Sequence, residues 1–145
     1  MAGFADAVYR LKGLEQTVVN VRDLCAGSFP GDVAVYQKGY DEWRRREAPM
    51  LAEIESAYEQ VVDAKAGGDP SERSKVLVQD AALATLSFEQ AKKAFDATPK
   101  ESLATKCNGY SGFLQGMNES APYISTQLRI LRSYLAGSRA ESDRP

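Results

Sequence analysis

Few residues in this chain are able to carry out chemistry. Two cysteines, Cys25 and Cys107, are present, whereas histidine is absent. Histidine is the usual general base near neutral pH and a common metal ligand, and two cysteines are too few for a structural zinc site. The sequence also lacks the motifs for haem attachment, di-iron ligation and phosphate binding. We therefore expect no catalytic residue, no metal site, no cofactor and no enzymatic activity.

The two cysteines allow three interpretations. A disulfide between Cys25 and Cys107 would close a loop of about 80 residues and contribute about 4 kcal/mol in the chain-entropy model. Two buried thiols would act as small apolar side chains, and a redox-active pair would need a CxxC spacing or an electropositive helix start. We favour the disulfide. Because disulfides persist in oxidising compartments, it predicts a periplasmic or secreted protein, with a cytoplasmic location as the alternative.

One carboxylate and several aromatic residues could form a ligand pocket. Glu47 occupies an apolar position of its segment, where a carboxylate is costly unless it is paired. Aromatic side chains gather near the expected disulfide, and tyrosine hydroxyl groups in a core need partners. The candidate pocket residues are Tyr36, Tyr40, Trp43, Glu47 and Tyr110. The alternatives are that the aromatic residues are simply core and that Glu47 turns towards solvent.

The elements that would position these residues are helices. Apolar residues recur at alternating spacings of three and four in four segments, which predict helices over 3–26, 31–66, 70–97 and 101–137. Asp69 and Pro70 are suited to the cap and first turn of the third helix. Short connections make neighbouring helices antiparallel. The predicted fold is all-α: one domain over 1–138, an up-down-up-down four-helix bundle, followed by a disordered tail over 139–145.

Two prolines fall inside the predicted long helices. In the stretch DEWRRREAPML, Trp43 and Met50 lie on one apolar stripe, so the helix is expected to continue across Pro49. Pro122 occupies a similar place in the fourth helix. Proline removes a backbone hydrogen bond and clashes with the preceding turn, so both helices are predicted to be kinked. The three arginines 44–46 are then solvated positions beside Trp43.

Composition restricts the class of partner. The formal net charge is −2, the two signs are interspersed, and a nucleic-acid binder would gather basic residues on one face. No apolar run approaches the roughly 20 residues that span a bilayer. Our interpretation is a non-enzymatic, exported helical protein that acts by protein–protein interaction and could form a homodimer through residues such as Val19, Leu83 and Leu86. The alternative is a small-ligand-binding or sensor-type bundle that uses the aromatic pocket.

Overall fold

A computed structural model describes residues 1–144, and within that range every regular element is helical. The α-helices are α1 Ala2–Ser28, α2 Val33–Arg46, α3 Ala48–Ala66, α4 Pro70–Asp96, α5 Lys100–Asn108, α6 Tyr110–Gln115 and α7 Pro122–Ser142, with a 3-10 helix at Pro30–Asp32. The all-α class is therefore confirmed. Among residues 1–144, no helix is both long and apolar enough to cross a bilayer.

Helix α1 lies at the centre of the packing. It contacts α2, α3, α4 and α7 and touches α5 and α6 near its end. Its apolar residues recur every three or four positions and supply much of the core, in agreement with the predicted stripe. The buried apolar residues of α1 are Phe4, Ala7, Val8, Leu11, Val18, Val21, Leu24 and Cys25.

The second predicted helix, 31–66, is corrected to two α-helices and a 3-10 turn. The helix ends at Arg46, Glu47 leaves the helical conformation, and a new helix begins at Ala48 with Pro49 in its first turn. Proline lacks a backbone N–H, and the first turn of a helix has no use for that donor. A break therefore accommodates Pro49 better than the kink that we predicted.

The fourth predicted helix, 101–137, is corrected in the same way. It is divided at Gly109 and again over residues 116–121, and Pro122 is the first residue of α7. Pro122 therefore starts a helix and does not kink one. Helix α7 also extends to Ser142, so residues 139–142 of the predicted disordered tail are helical; residue 145 lies outside the described residues.

Helix α4 begins at clear sequence signals, but few of its side chains are buried. Asp69 accepts a hydrogen bond from the Ser71 backbone N–H at 2.9 Å, and Pro70 occupies the first turn, which confirms both predicted roles. Gly67 and Gly68 have φ values of 60° and 83° and let the chain leave α3. Helix α4 makes its main contacts with α1 and α3. In its 27 residues only Phe95 is fully buried.

Candidate functional site

The predicted disulfide joins Cys25, near the end of α1, to Cys107 in α5. The two Cα atoms are 5.6 Å apart, and 82 positions separate the residues in the sequence. Both side chains are buried. The bond links the end of α1 to α5. Next to Cys107, the ammonium group of Lys106 lies 5.0 Å from the ring centre of Phe95 at the end of α4. This end of the molecule therefore brings α1, α4 and α5 together.

The structure brings four of the predicted pocket residues together as the aromatic cluster Tyr36, Tyr40, Trp43 and Tyr110. The rings of Tyr36 and Tyr110 meet edge to face, with centres 6.1 Å apart. The neighbouring rings of Tyr40 and Trp43 are tilted by 37° to each other, with centres also 6.1 Å apart. Burial raises the pKa of Tyr110 and, to a lesser extent, that of Tyr36. Tyr36, Trp43 and Tyr110 are thus buried in the core, whereas Tyr40 is half-buried at its edge.

Two polar groups of the aromatic cluster donate hydrogen bonds to backbone carbonyl oxygen atoms. The Tyr110 hydroxyl group donates to the Val18 carbonyl oxygen at 3.0 Å, and the Trp43 indole N–H donates to the Met117 carbonyl oxygen at 2.8 Å. Two spaces border Trp43. One lies towards the core and measures about 10 Å³, which is about the size of one water molecule; the other is an open recess of about 120 Å³ that Tyr40 and Arg44 also line. Because small-molecule sites usually measure about 300–1,000 Å³, a drug-sized ligand would have to displace side chains to enter here.

Glu47 lies at the break between α2 and α3 and not in the aromatic cluster. Its side chain is mostly buried, and a carboxylate oxygen is 3.7 Å from the Arg46 Nε atom. All three arginines of the triplet are exposed, as predicted. Arg46 also donates to the Leu114 carbonyl oxygen at 2.9 Å. The break therefore positions Arg46 to bind both a carboxylate and the end of α6.

A larger recess, which the sequence did not indicate, separates α4 from α1 and α3. We call it the α4 groove, and its volume is about 540 Å³. Small residues open it: Gly13 of α1 lies across from Ala81, Ala84 and Ser87 of α4. A Cβ atom added to Gly13 would meet no neighbour within 4 Å. The other lining residues are Tyr9, Lys12, Gln16, Tyr58, Leu77, Asp80 and Leu83.

One wall of the α4 groove carries a hydrogen-bonded group that we call the Asp80 cluster: Asp80, Tyr9, Tyr58 and Lys65. The Asp80 carboxylate accepts from the Tyr58 hydroxyl group at 2.6 Å and from the Tyr9 hydroxyl group at 3.0 Å. The Lys65 ammonium group in turn donates to the Tyr9 oxygen at 2.8 Å. Burial, together with the bond to Asp80, raises the pKa of Tyr58. The cluster joins α4 to α1 and α3 by polar contacts.

Sequence reasoning missed Asp80 although a signal was present. Asp80 lies one turn before Ala84 and one turn after Val76, so it shares the inward side of α4 with them. A carboxylate at such a position requires a partner. Tyr9 and Tyr58 fall beside the apolar stripes of their helices, and only the three-dimensional packing shows that both meet Asp80.

Four large apolar side chains of α4 are left in solvent. Their exposed fractions are 39% for Leu77, 69% for Val78, 60% for Leu83 and 48% for Leu86. Leu77 and Leu83 border the α4 groove, whereas Val78 and Leu86 point away from the rest of the protein. Helix α4 therefore presents apolar surface on both its inner margin and its outer side.

Within residues 1–144, no three histidine, cysteine or carboxylate side chains gather closely enough to hold a metal ion. The chain matches no protein-family model, and no curated protein or solved structure is significantly similar to it.

Proposed function

We propose that this protein is an exported, non-enzymatic helical protein that acts by binding proteins through α4. The observation that supports the proposal is the exposure of Val78, Leu83 and Leu86 on a helix with a single fully buried side chain. Contiguous apolar surface on a soluble protein is typical of interaction sites. The proposed partners are proteins, including a second copy of the chain, and not nucleic acid.

The charge pattern of α4 favours the same surface. Residues 76–88 have the sequence VLVQDAALATLSF, in which Asp80 is the only charged residue. Asp80 faces inward and is held by Tyr9 and Tyr58. The outward side of this segment therefore carries no charge over more than three helical turns. Depletion of charge at the centre of an apolar patch is the composition expected of an interface core.

The disulfide supports the exported part of the proposal, with a periplasmic or secreted location, because such bonds are maintained outside reducing compartments. Cytoplasmic protein would carry free thiols at Cys25 and Cys107. The up-down-up-down arrangement remains part of the proposal, with α2 and α3 forming one interrupted rod and α5, α6 and α7 another. The breaks that precede Pro49 and Pro122 are compatible with this arrangement.

Site-specific photo-crosslinking in the producing cells tests the function. A benzophenone side chain replaces Leu86 on α4 or, as the matched control, Ile130 on α7, which is an apolar residue of similar exposure. We expect irradiation to give a covalent protein adduct at position 86 and none at position 130. Equal labelling at both positions, or no adduct at position 86, would count against α4 as the binding surface.

The α4 groove favours a second candidate function, the binding of a small ligand. Its volume of about 540 Å³ lies in the range of small-molecule sites, which combine apolar walls with a few polar groups. The predicted pocket at Tyr36, Tyr40, Trp43, Glu47 and Tyr110 would have to open first, whereas the α4 groove is already open.

Fluorescence of anilinonaphthalene sulfonate tests this candidate. We expect the native protein to enhance the fluorescence and Ala84→Leu, which fills the groove across from Gly13, to remove the enhancement. Ala136→Leu makes the same change at an exposed position of α7 and should leave it intact. A native protein without any enhancement would contradict a ready-made apolar site.

A further inference from the structure

The outer side of α4 has a regular pattern of its own. Lys75, Val78, Ala82, Leu86 and Glu89 follow one another at spacings of three, four, four and three, and all five are exposed. We call them the outer face of α4. Fourteen residues in four turns is the heptad period of a contact line between two helices that wind slightly around each other. The half-buried residues Asp80, Ala84, Ser87 and Ala91 occupy the opposite side.

The outer face is symmetric about Ala82. Val78 and Leu86 lie four positions before and after it, and Lys75 and Glu89 lie seven positions before and after it. The two apolar residues are thus equidistant from the centre, and the two charged residues at the ends have opposite sign. Seven residues correspond to about 10 Å along a helix, so Lys75 and Glu89 flank the apolar centre on either side.

This symmetry makes the outer face of α4 complementary to a second copy of itself. If a second α4 lies antiparallel across a two-fold axis at Ala82, Lys75 faces the partner's Glu89 and Val78 faces the partner's Leu86. The reciprocal contacts follow automatically, because a two-fold interface uses the same patch on both copies. A parallel pair would instead place lysine against lysine and glutamate against glutamate.

We propose that two copies of this chain pair through the outer faces of α4 in this antiparallel register. The inference rests on the proposed function and names its partner. Ala82 at the centre has a small side chain, and helix axes approach more closely where the contact residues are small. Lys75 already contacts Glu72 within α4 at 2.9 Å, so in the pair its ammonium group would be shared between Glu72 and the partner's Glu89.

The surface area of the chain agrees with an uncovered face. The chain exposes 8796 Å² at a mass of 15.8 kDa, whereas a compact monomer of this mass exposes about 7,300 Å². The surplus is about 1,500 Å², and a stable interface covers about 800 Å² on each partner. The surplus therefore exceeds the area that each copy would contribute to a stable dimer.

A charge exchange measured by sedimentation equilibrium tests the pairing with purified, oxidised protein. We expect the wild type to approach twice the chain mass as concentration rises. Lys75→Glu alone and Glu89→Lys alone each oppose like charges, so each should dissociate about tenfold more readily. An equimolar mixture of the two single variants restores opposite charges at both ends and should dimerise as tightly as the wild type. Ala82→Arg, at the two-fold axis, should remain monomeric.

The substitutions are at exposed positions, so circular dichroism of each variant should match that of the wild type. A wild type that stays at 15.8 kDa at every concentration would overturn the pairing. So would a dimer that is indifferent to Ala82→Arg, or a mixture that associates no better than its components. A monomeric chain that still forms adducts with a different protein at position 86 would refute the second copy and leave the proposed function standing.

Discussion

Asp80 shows how a single carboxylate can be held between helices in an otherwise apolar region. Two tyrosine hydroxyl groups donate to it, at 2.6 Å from Tyr58 and 3.0 Å from Tyr9. Hydrogen bonds to a charged group are stronger than those between neutral groups. Because the donors come from α1 and α3, the carboxylate of α4 holds all three helices at a fixed distance, and the α4 groove stays open beside it.

Tyr58→Phe is therefore expected to destabilise the protein by about 1–2 kcal/mol, through loss of a hydrogen bond to a carboxylate with little loss of ring packing. Urea unfolding at neutral pH measures the change. Tyr123→Phe, at an exposed position, is the control and should change the free energy of unfolding by less than about 0.5 kcal/mol. Equal effects of the two substitutions would mean that the bond to Asp80 contributes nothing.

The same tyrosine determines how stability responds to alkaline pH. Burial and the bond to Asp80 raise the pKa of Tyr58 in the folded state, whereas in the unfolded chain it titrates near its ordinary value of about 10. The unfolded state therefore loses this proton first, and the contribution of Tyr58, complete below pH 10, falls as pH rises above that value. The difference in stability between wild type and Tyr58→Phe should accordingly shrink above about pH 10.

At the scale of elements, periodicity in the sequence predicted where helix occurs but not where helices are divided. The apolar stripe through Trp43 and Met50 continues across Glu47, and both residues are buried, yet the backbone breaks between them. A stripe records only which side chains face the core, and two helices that meet end to end at a small angle produce the same stripe as one bent helix. Pro49 is compatible with a kinked helix and with a break. Inside a continuous helix it would remove a backbone hydrogen bond and clash with the preceding turn, so the break has the lower energy.

Helix α4 shows a second limit of periodicity: it predicts the helix but not how deeply its side chains are buried. The apolar residues whose spacing predicts this helix are Leu77, Ala81, Ala84, Phe88, Ala91 and Phe95. Of these, only Phe95 is fully buried. Alanine fits an inner or an outer position equally well and contributes little buried area. The depth of burial depends on what lies opposite, here Gly13 of α1, which leaves a gap. Because the gap depends on Gly13 of α1, the sequence of α4 alone could not predict the α4 groove.

On the scale of the whole molecule, both ends of the central helix α1 are attached to later helices. At the start of α1, the ring of Phe4 stacks on that of Tyr134 in α7, with centres 4.3 Å apart. At its other end, Cys25 is bonded to Cys107 of α5. The first closure depends on packing and the second is covalent. Every helix between the two cysteines lies within the loop that the disulfide closes.

The disulfide is consequently expected to be the largest single contribution to stability. For a loop with a sequence separation of 82 residues, the restriction of the unfolded chain corresponds to about 4–5 kcal/mol. The double variant Cys25→Ala/Cys107→Ala should lose about that much in urea unfolding, with a larger denaturant dependence because its unfolded state expands further.

Wild-type protein kept fully reduced by excess reductant is the matched control for this variant, because it has the same open chain. Its unfolding midpoint should equal that of the double variant. The buried bond should resist a mild reductant in the native protein and yield two alkylated thiols only when the chain is unfolded with reductant present. If the double variant unfolds at the wild-type midpoint, the two ends of the loop are held together by packing alone. Two labels on unfolded, unreduced protein from its natural compartment would refute the disulfide there and, with it, the support for export.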